Sequence, residues 1–115
     1  MRNRSLNESV FNQTIEQQVW EKGRPVLGKD PNVYRKDKCG AWMKRNLHTD
    51  GNTALSLEWE IDHIKPKAKG GTDDISNLQP LQWENNRNKS DNYPATASDC
   101  KVEASYTYDL ANRYK

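Results

Sequence analysis

The chain has 115 residues, of which 33% are hydrophobic and 30% are charged. It is long enough for one domain with a modest core and too short for two well-packed ones. No stretch approaches the roughly 18 apolar residues of a membrane span, and the first residues lack the apolar segment of a secretory signal. The composition therefore excludes a membrane partner and predicts a cytoplasmic location by default.

The charges are unevenly distributed along the chain, although the formal net charge is only +2. Residues 22–45 contain eight Lys or Arg and two Asp residues, a net charge of +6, whereas residues 46–60 carry a net charge of −3. A basic block beside an acidic one indicates an anionic partner at the first and a cation near the second. A merely solvated loop surface is the alternative interpretation.

The first predicted element is an amphipathic helix over residues 9–22. Phe11, Ile15 and Val19 recur at four-residue spacing, and Gly23 follows as a C-terminal cap. The next stretch, GRPVLGKDPNVYRKDKCG, is rich in glycine, proline and charge, so it predicts an irregular basic connection. Long connections of this kind in small domains are usually functional.

The segments GAWMKRNL and ALSLEWEIDHI flank Asp50-Gly51, which is typical of a hairpin turn. They predict two antiparallel strands, with alternating residues on two faces: Leu55, Leu57, Trp59 and Ile61 on one, and Glu58, Glu60 and Asp62 on the other. KPKAKGGTDDIS is then a loop, NLQPLQ a brief extended piece and WENNRNKSDN a short helix. The spacing of Val102, Tyr106 and Leu110 predicts a C-terminal helix.

The two cysteines, Cys39 and Cys100, show no CxxC spacing. They are too few for a disulfide framework, so we expect ordinary thiols and no structural zinc.

A strand, a loop and a short helix can hold one metal ion between a strand end and a helix face. Asp62 and His63 lie on the strand side, Asn77 follows the glycine loop, and Asn86 lies on the helix. Asp and Asn supply oxygen ligands, which suit Mg²⁺ or Mn²⁺. A cation held by two protein groups keeps open positions that can accept a phosphate oxygen.

The string EIDHIKPKAKGGTDDISNLQPLQWENNRNKSDN resembles the HNH endonuclease motif, in which an Asp-His pair, an Asn-Leu-Gln stretch and an Asn-x-x-Lys turn appear in this order. The resemblance is dense over residues 59–92 and weaker upstream. It implies an α+β fold with a ββα-metal, treble-clef-like core of a hairpin plus a short helix. It also implies a single domain over residues 1–115, with a motif core at 39–92, a helix and basic lead-in at 9–38 and an extension at 94–115.

The resemblance also implies roles for the site residues. His63 matches the general base, Asp62 and Asn86 match the ligands of one divalent metal, and Asn77 matches the residue that ties the loop to the hairpin. Asn85 and Asn88 stay open as alternatives to Asn86. Glu60 could orient a metal-bound water. His48 is expected to be an exposed turn residue, and a catalytic role is its alternative. Many family members bind zinc through two CxxC pairs, and here aromatic packing must supply that stability instead.

The expected partner is DNA, with the double-stranded form favoured, RNA not excluded and a homodimer left open. Nucleic-acid contacts are predicted for the basic side chains Arg35, Lys36, Lys38, Lys44, Arg45, Arg87 and Lys89. The expected function is metal-dependent phosphodiester hydrolysis with weak sequence specificity. The alternatives are a binding module that does not cut, and a nuclease toxin with an immunity partner.

Overall fold

This computed structural model describes residues 12–48 and 57–103. Within these ranges the chain forms two helices and two antiparallel hairpins. The elements are α1 (Gln13–Trp20), β1 (Tyr34–Lys36), β2 (Trp42–Lys44), β3 (Trp59–His63), β4 (Leu78–Gln82) and α2 (Trp83–Lys89). This small α+β architecture is consistent with the ββα fold that the sequence implies.

The predicted N-terminal helix is confirmed over Gln13–Trp20. It begins at Asn12, whose side chain accepts a hydrogen bond from Ile15 N at 3.0 Å and so satisfies one of the free N–H groups of the first turn. The predicted cap at Gly23 is wrong, because the helical turn already ends at Glu21. The predicted start, with Phe11, lies outside the described residues.

The predicted hairpin across Asp50-Gly51 is wrong in its pairing. The first segment, as β2, pairs with β1, and β3 pairs with β4, so that Ile61 lies opposite Pro80. Between the two predicted partners, the described contacts include Lys44 N donating to Leu57 O at 3.0 Å. The turn itself and Leu55 lie outside the described residues.

His48 also departs from the sequence-based expectation. Its ring centroid lies 4.6 Å from that of Trp59, and its Nδ1 lies 3.2 Å from Glu16 Oε1. The side chain is half-buried and packed, because His48 forms a parallel β-bridge with Trp59 at the start of β3. It is therefore a packing residue rather than an exposed turn residue.

Strand β3 is buried on both faces, and the predicted alternation of its side chains is confirmed there. Trp59 and Ile61 pack into the main apolar core with Val19, Trp20, Met43 and Leu78. The opposite face buries Glu60 and Asp62 against α2. The strand therefore joins an apolar core on one side to a polar cluster on the other.

Cys39 and Cys100 form a disulfide, so the expectation of two ordinary thiols is wrong. Their Cα atoms lie 5.6 Å apart, a spacing that suits a disulfide. The pairing escapes sequence reasoning because the cysteines are 61 positions apart and meet only when the C-terminal segment returns to the β1–β2 turn. Zinc-type CxxC spacing is absent, yet the cysteines still crosslink the fold.

A buried carboxylate ties the same turn to the start of α2. Asp37 accepts hydrogen bonds from Cys39 N and Ala41 N, and also from Gln82 N and the Asn85 side chain, at 2.9 to 3.0 Å. Burial raises the pKa of Asp37, while these four donors act in the opposite direction. Stability therefore comes from this cluster and the disulfide as well as from aromatic packing.

The C-terminal segment packs against the outer side of α2. Asn88 Nδ2 donates to Asp99 O at 2.8 Å, and the Asp99 carboxylate accepts from Thr96 N and Asn92 Nδ2. The Thr96 N–H is the largest cause that lowers the pKa of Asp99. The predicted C-terminal helix lies outside the described residues except at its first positions, where Val102 is not helical.

Within residues 12–48 and 57–103, no helix has the length and apolar character that crossing a bilayer requires.

Candidate metal and nucleic-acid site

The polar face of β3 places a buried carboxylate beside a buried ammonium. Asp62 Oδ2 accepts from Gln79 Nε2 at 2.8 Å, and Asp62 Oδ1 lies 3.2 Å from Lys89 Nζ. Lys89 also donates to His63 O at 3.0 Å and is only 1% exposed. In this arrangement its ammonium neutralises Asp62 rather than facing a phosphate, which was the predicted role of Lys89.

Asn86 faces the same strand from α2. Its Nδ2 donates to Glu60 Oε1 at 2.7 Å. Because a carboxylate only accepts, this bond fixes the orientation of the amide and directs its oxygen elsewhere. Asn86 Oδ1 is buried and has no hydrogen-bond partner in the part of the chain that the structure describes. Glu60 therefore orients Asn86, a contact that sequence reasoning missed.

The other two asparagines of the cluster have different surroundings. The Asn85 side-chain oxygen accepts from Lys101 N and Val102 N, and its Nδ2 donates to Asp37 and to Val102 O. Asn88 lies on the exposed side of α2, where it holds Asp99. Among the three candidates the geometry favours Asn86, because its side-chain oxygen is buried and accepts no hydrogen bond from any residue that the structure describes.

The donor set fits a hard divalent cation. It consists of the Asp62 carboxylate and the Asn86 amide oxygen, and oxygen ligands suit Mg²⁺ or Mn²⁺. A buried carbonyl oxygen without a hydrogen bond is costly, and a bound cation would offset that cost. In residues 12–48 and 57–103, no group of three or more His, Cys, Asp or Glu side chains is arranged around a common ion position.

His63, at the end of β3, contacts a carboxylate that the sequence did not single out. Its Nε2 lies 2.7 Å from Asp73 Oδ1, and the His63 side chain is 1% exposed while that of Asp73 is 42% exposed. The hydrogen bond with His63 is the largest cause that lowers the pKa of Asp73. In the sequence, the two adjacent acids of the GGTDD stretch are the only sign of this contact. Their distance from His63 in the folded chain depends on the conformation of the loop.

Asn77 fixes the shape of that loop. Its Oδ1 accepts from Lys65 N at 2.9 Å, and its Nδ2 donates to Lys65 O at 3.0 Å and to Thr72 O at 2.8 Å. The backbone passes so close at Gly71 that a Cβ there would lie 1.7 Å from Lys65 O. The loop between β3 and β4 therefore requires both Gly71 and Asn77 in this conformation.

Two of the predicted nucleic-acid contacts line a basic groove. Lys36 and Lys38 border a cavity of about 280 Å³ together with Lys22 and Arg24, over a floor that includes Gln79 of β4. Lys22 Nζ donates to Leu78 O at 2.7 Å, and burial lowers its pKa. Lys22 and Arg24 belong to the basic block but were not among the predicted contacts.

The remaining predicted contacts are engaged in different ways. Arg35 donates to Pro31 O and Gly23 O, and Arg45 bonds to Glu16 and Gln17, so these two guanidinium groups stabilise the fold around α1. The Lys44 ammonium lies 6.0 Å from the ring centroid of Tyr34. Arg87 stacks at 4.6 Å on the partly buried Trp83, and its Nη2 lies 3.8 Å from Glu60 Oε2.

The family model described as HNH endonuclease matches residues 44–92. No curated protein and no solved structure matches the chain. The matched range includes Asp62, His63, Asn77 and Asn86, which belong to the polar cluster and loop described above. Residues 44–92 of this chain are therefore similar to the HNH endonuclease family, which suggests a nuclease with a nucleic-acid substrate.

Proposed function

We propose that this chain is a metal-dependent endonuclease that hydrolyses phosphodiester bonds in DNA with weak sequence specificity. The observation that carries the proposal is the position of Asn86 beside β3, where Nδ2 is held by Glu60 and the buried side-chain oxygen has no hydrogen-bond partner among the described residues. Asp62 and Asn86 both carry side-chain oxygens, the ligand type that a hard cation prefers. Both residues lie inside the range that matches the HNH family.

Asp62 and Asn86 would hold the cation, and Glu60 keeps the Asn86 amide in the orientation that presents its oxygen. A cation held by these residues would supply stabilisation of the negative charge on the scissile phosphate and on the departing 3′ oxygen. His63 takes a proton from the water that attacks phosphorus in line, because a neutral imidazole is a competent base near pH 7. The expected products carry 5′ phosphates.

The groove bordered by Lys22, Arg24, Lys36 and Lys38 is the surface that we assign to the nucleic-acid backbone. Its floor includes Gln79, whose amide donates to Asp62, so the groove and the proposed metal ligand are one side chain apart.

A domain of this size has little surface left for reading bases, which supports weak sequence specificity. One site cuts one strand per encounter, so nicked plasmid is the expected first product. A homodimer stays a prediction.

The test is cleavage of supercoiled plasmid by the purified chain in Mg²⁺, Mn²⁺ or EDTA. We expect metal-dependent nicking that falls by about 100-fold or more in His63→Ala and is lost in Asn86→Ala. His48→Gln and Asn88→Ala are the matched controls, since they change the other histidine and a neighbouring asparagine. Binding without cleavage in every metal would overturn the nuclease and support the binding module instead. Cleavage at one site only would contradict weak specificity.

The disulfide favours a second candidate. Disulfides are typical of proteins that work in oxidising compartments and are rare in the cytoplasm. The disulfide therefore argues against the cytoplasmic location expected from the sequence. It favours a nuclease toxin that acts outside the cell that produces it. The chemistry of the site is the same in both cases. Recovery of an immunity partner with the tagged chain would support the toxin.

A further inference from the structure

The loop between β3 and β4 places a carboxylate on the ring of His63. Asp73 Oδ1 lies 2.7 Å from His63 Nε2, and because a carboxylate can only accept, Nε2 carries the hydrogen of this bond. We propose that Asp73 is the positioning residue that holds His63 in the Nε2–H tautomer, so that the lone pair lies on Nδ1 for the attacking water. The inference rests on the proposed function, in which His63 is the base.

The loop is built to deliver Asp73 to this position. The Asn77 side chain bonds to Thr72 O and to both backbone groups of Lys65. These hydrogen bonds fix the backbone at Thr72, directly before Asp73. Gly71 allows the close backbone approach that this requires. The geometry around His63 therefore depends on the conformation of the loop and not on β3 alone.

The second oxygen of Asp73 is also held. Asp73 Oδ2 accepts from Lys67 Nζ at 3.0 Å, so the carboxylate is oriented from two sides. Lys67 and His63 both favour its ionised form, which is consistent with the lowered pKa of Asp73. The neighbouring Asp74 bonds instead to Thr72 Oγ1 at 2.9 Å and makes no described contact with His63. The two adjacent acids therefore have different environments.

The tautomer matters because only one nitrogen of a neutral imidazole has a lone pair available for a proton. In the proposed step an O–H bond of water breaks, the proton moves to Nδ1, and the oxygen forms its bond to phosphorus. His63 then carries a positive charge, which the ionised Asp73 stabilises without taking the proton itself. Without Asp73, part of the population would carry the hydrogen on Nδ1, where it blocks this transfer.

The first test compares Asp73→Ala with Asp74→Ala in single-turnover plasmid cleavage and in DNA binding. We expect Asp73→Ala to lower the cleavage rate by about 10- to 100-fold with Kd unchanged, while Asp74→Ala changes neither. Asp73→Glu should recover part of the rate, because its carboxylate can still reach the ring. Equal effects of the two alanine variants, or a loss confined to binding, would overturn the assignment.

The second test reads the tautomer directly and needs no cleavage. In protein labelled with ¹⁵N at histidine, at a pH where the ring is neutral, His63 should show a protonated Nε2, with His48→Gln used to assign the signals. Asp73→Ala should shift His63 toward a mixture of tautomers. A wild-type ring protonated at Nδ1 would overturn the inference even if the chain cuts DNA. The expected tautomer in a chain that never cuts would leave the contact standing and reject the proposed function.

Discussion

Lys89 is the residue whose surroundings explain how the polar cluster around Asp62 stays buried. Its ammonium lies between Asp62 Oδ1 and His63 O, so the charge of the buried carboxylate is balanced. Removing one partner of a buried ion pair is costly, because the other charge is left in a medium of low polarity. A divalent cation at Asp62 would supply the same balance from a different source.

We therefore expect Lys89→Met to make folding more dependent on metal. The variant should lose about 3 to 5 kcal/mol of the free energy of unfolding, and Mg²⁺ should raise its melting temperature more than that of the wild type. Thermal unfolding with and without Mg²⁺ measures both effects. Lys101→Met, which alters a lysine whose side chain is 63% exposed, is the matched control. An identical response to Mg²⁺ in wild type and Lys89→Met would contradict this role of Lys89.

At this scale the sequence predicts residue types and their order better than their contacts. The spacing of Asn86 before Lys89 selects the asparagine whose buried oxygen has no described partner. The same pattern says nothing of Asp73, because its distance from His63 is set by a folded loop. It also predicts Lys89 as a phosphate contact, although β3 and α2 approach closely enough to bury it.

Among the elements, α2 depends on its two neighbours. Its inner face carries Asn86 and Lys89, which contact β3. Its outer side contacts Asp99 in the C-terminal segment, which also carries Cys100 of the disulfide. Crosslinking reduces the conformational entropy of the unfolded chain, so loss of the disulfide should destabilise the fold that positions α2.

We expect reduction of the Cys39–Cys100 disulfide to lower the free energy of unfolding by about 2 to 5 kcal/mol. Chemical denaturation with and without a thiol reductant measures the difference. A chain with Cys39→Ser and Cys100→Ser should resemble the reduced wild type and should no longer respond to the reductant. If the reductant leaves the wild-type midpoint unchanged, the crosslink does not contribute to stability.

The elements themselves are largely predictable, whereas their pairing is not. Periodicity identifies α1, and the alternation of apolar and acidic residues identifies β3. The Asp50-Gly51 turn signal favours the wrong partner for β3, because a local turn signal carries no information on distant strands. The true partner, β4, contains Pro80, which weakens its strand signal. The loop of residues 64–77 can still close the hairpin, since closure entropy grows slowly with length.

For the whole molecule, the basic groove makes a prediction about salt. Each phosphate contact that is lost should reduce the slope of log K against log salt concentration by about 1. We expect the double variant Lys36→Gln and Lys38→Gln to reduce the slope by about 2, with a larger effect on affinity than on turnover. Fluorescence anisotropy with a labelled duplex measures the slope, and Lys101→Gln serves as a control outside the groove. An unchanged slope would exclude both lysines as phosphate contacts.

The disulfide has a further consequence for the topology of the covalent chain. Cys39 and Cys100 close a ring that contains β2, β3, β4 and α2, and therefore every residue assigned to metal binding and catalysis. The exposed lysines of the β3–β4 loop lie inside this ring. A protease that cuts after one of them would open the ring without releasing a fragment. The two halves of the site would stay joined until the crosslink is reduced.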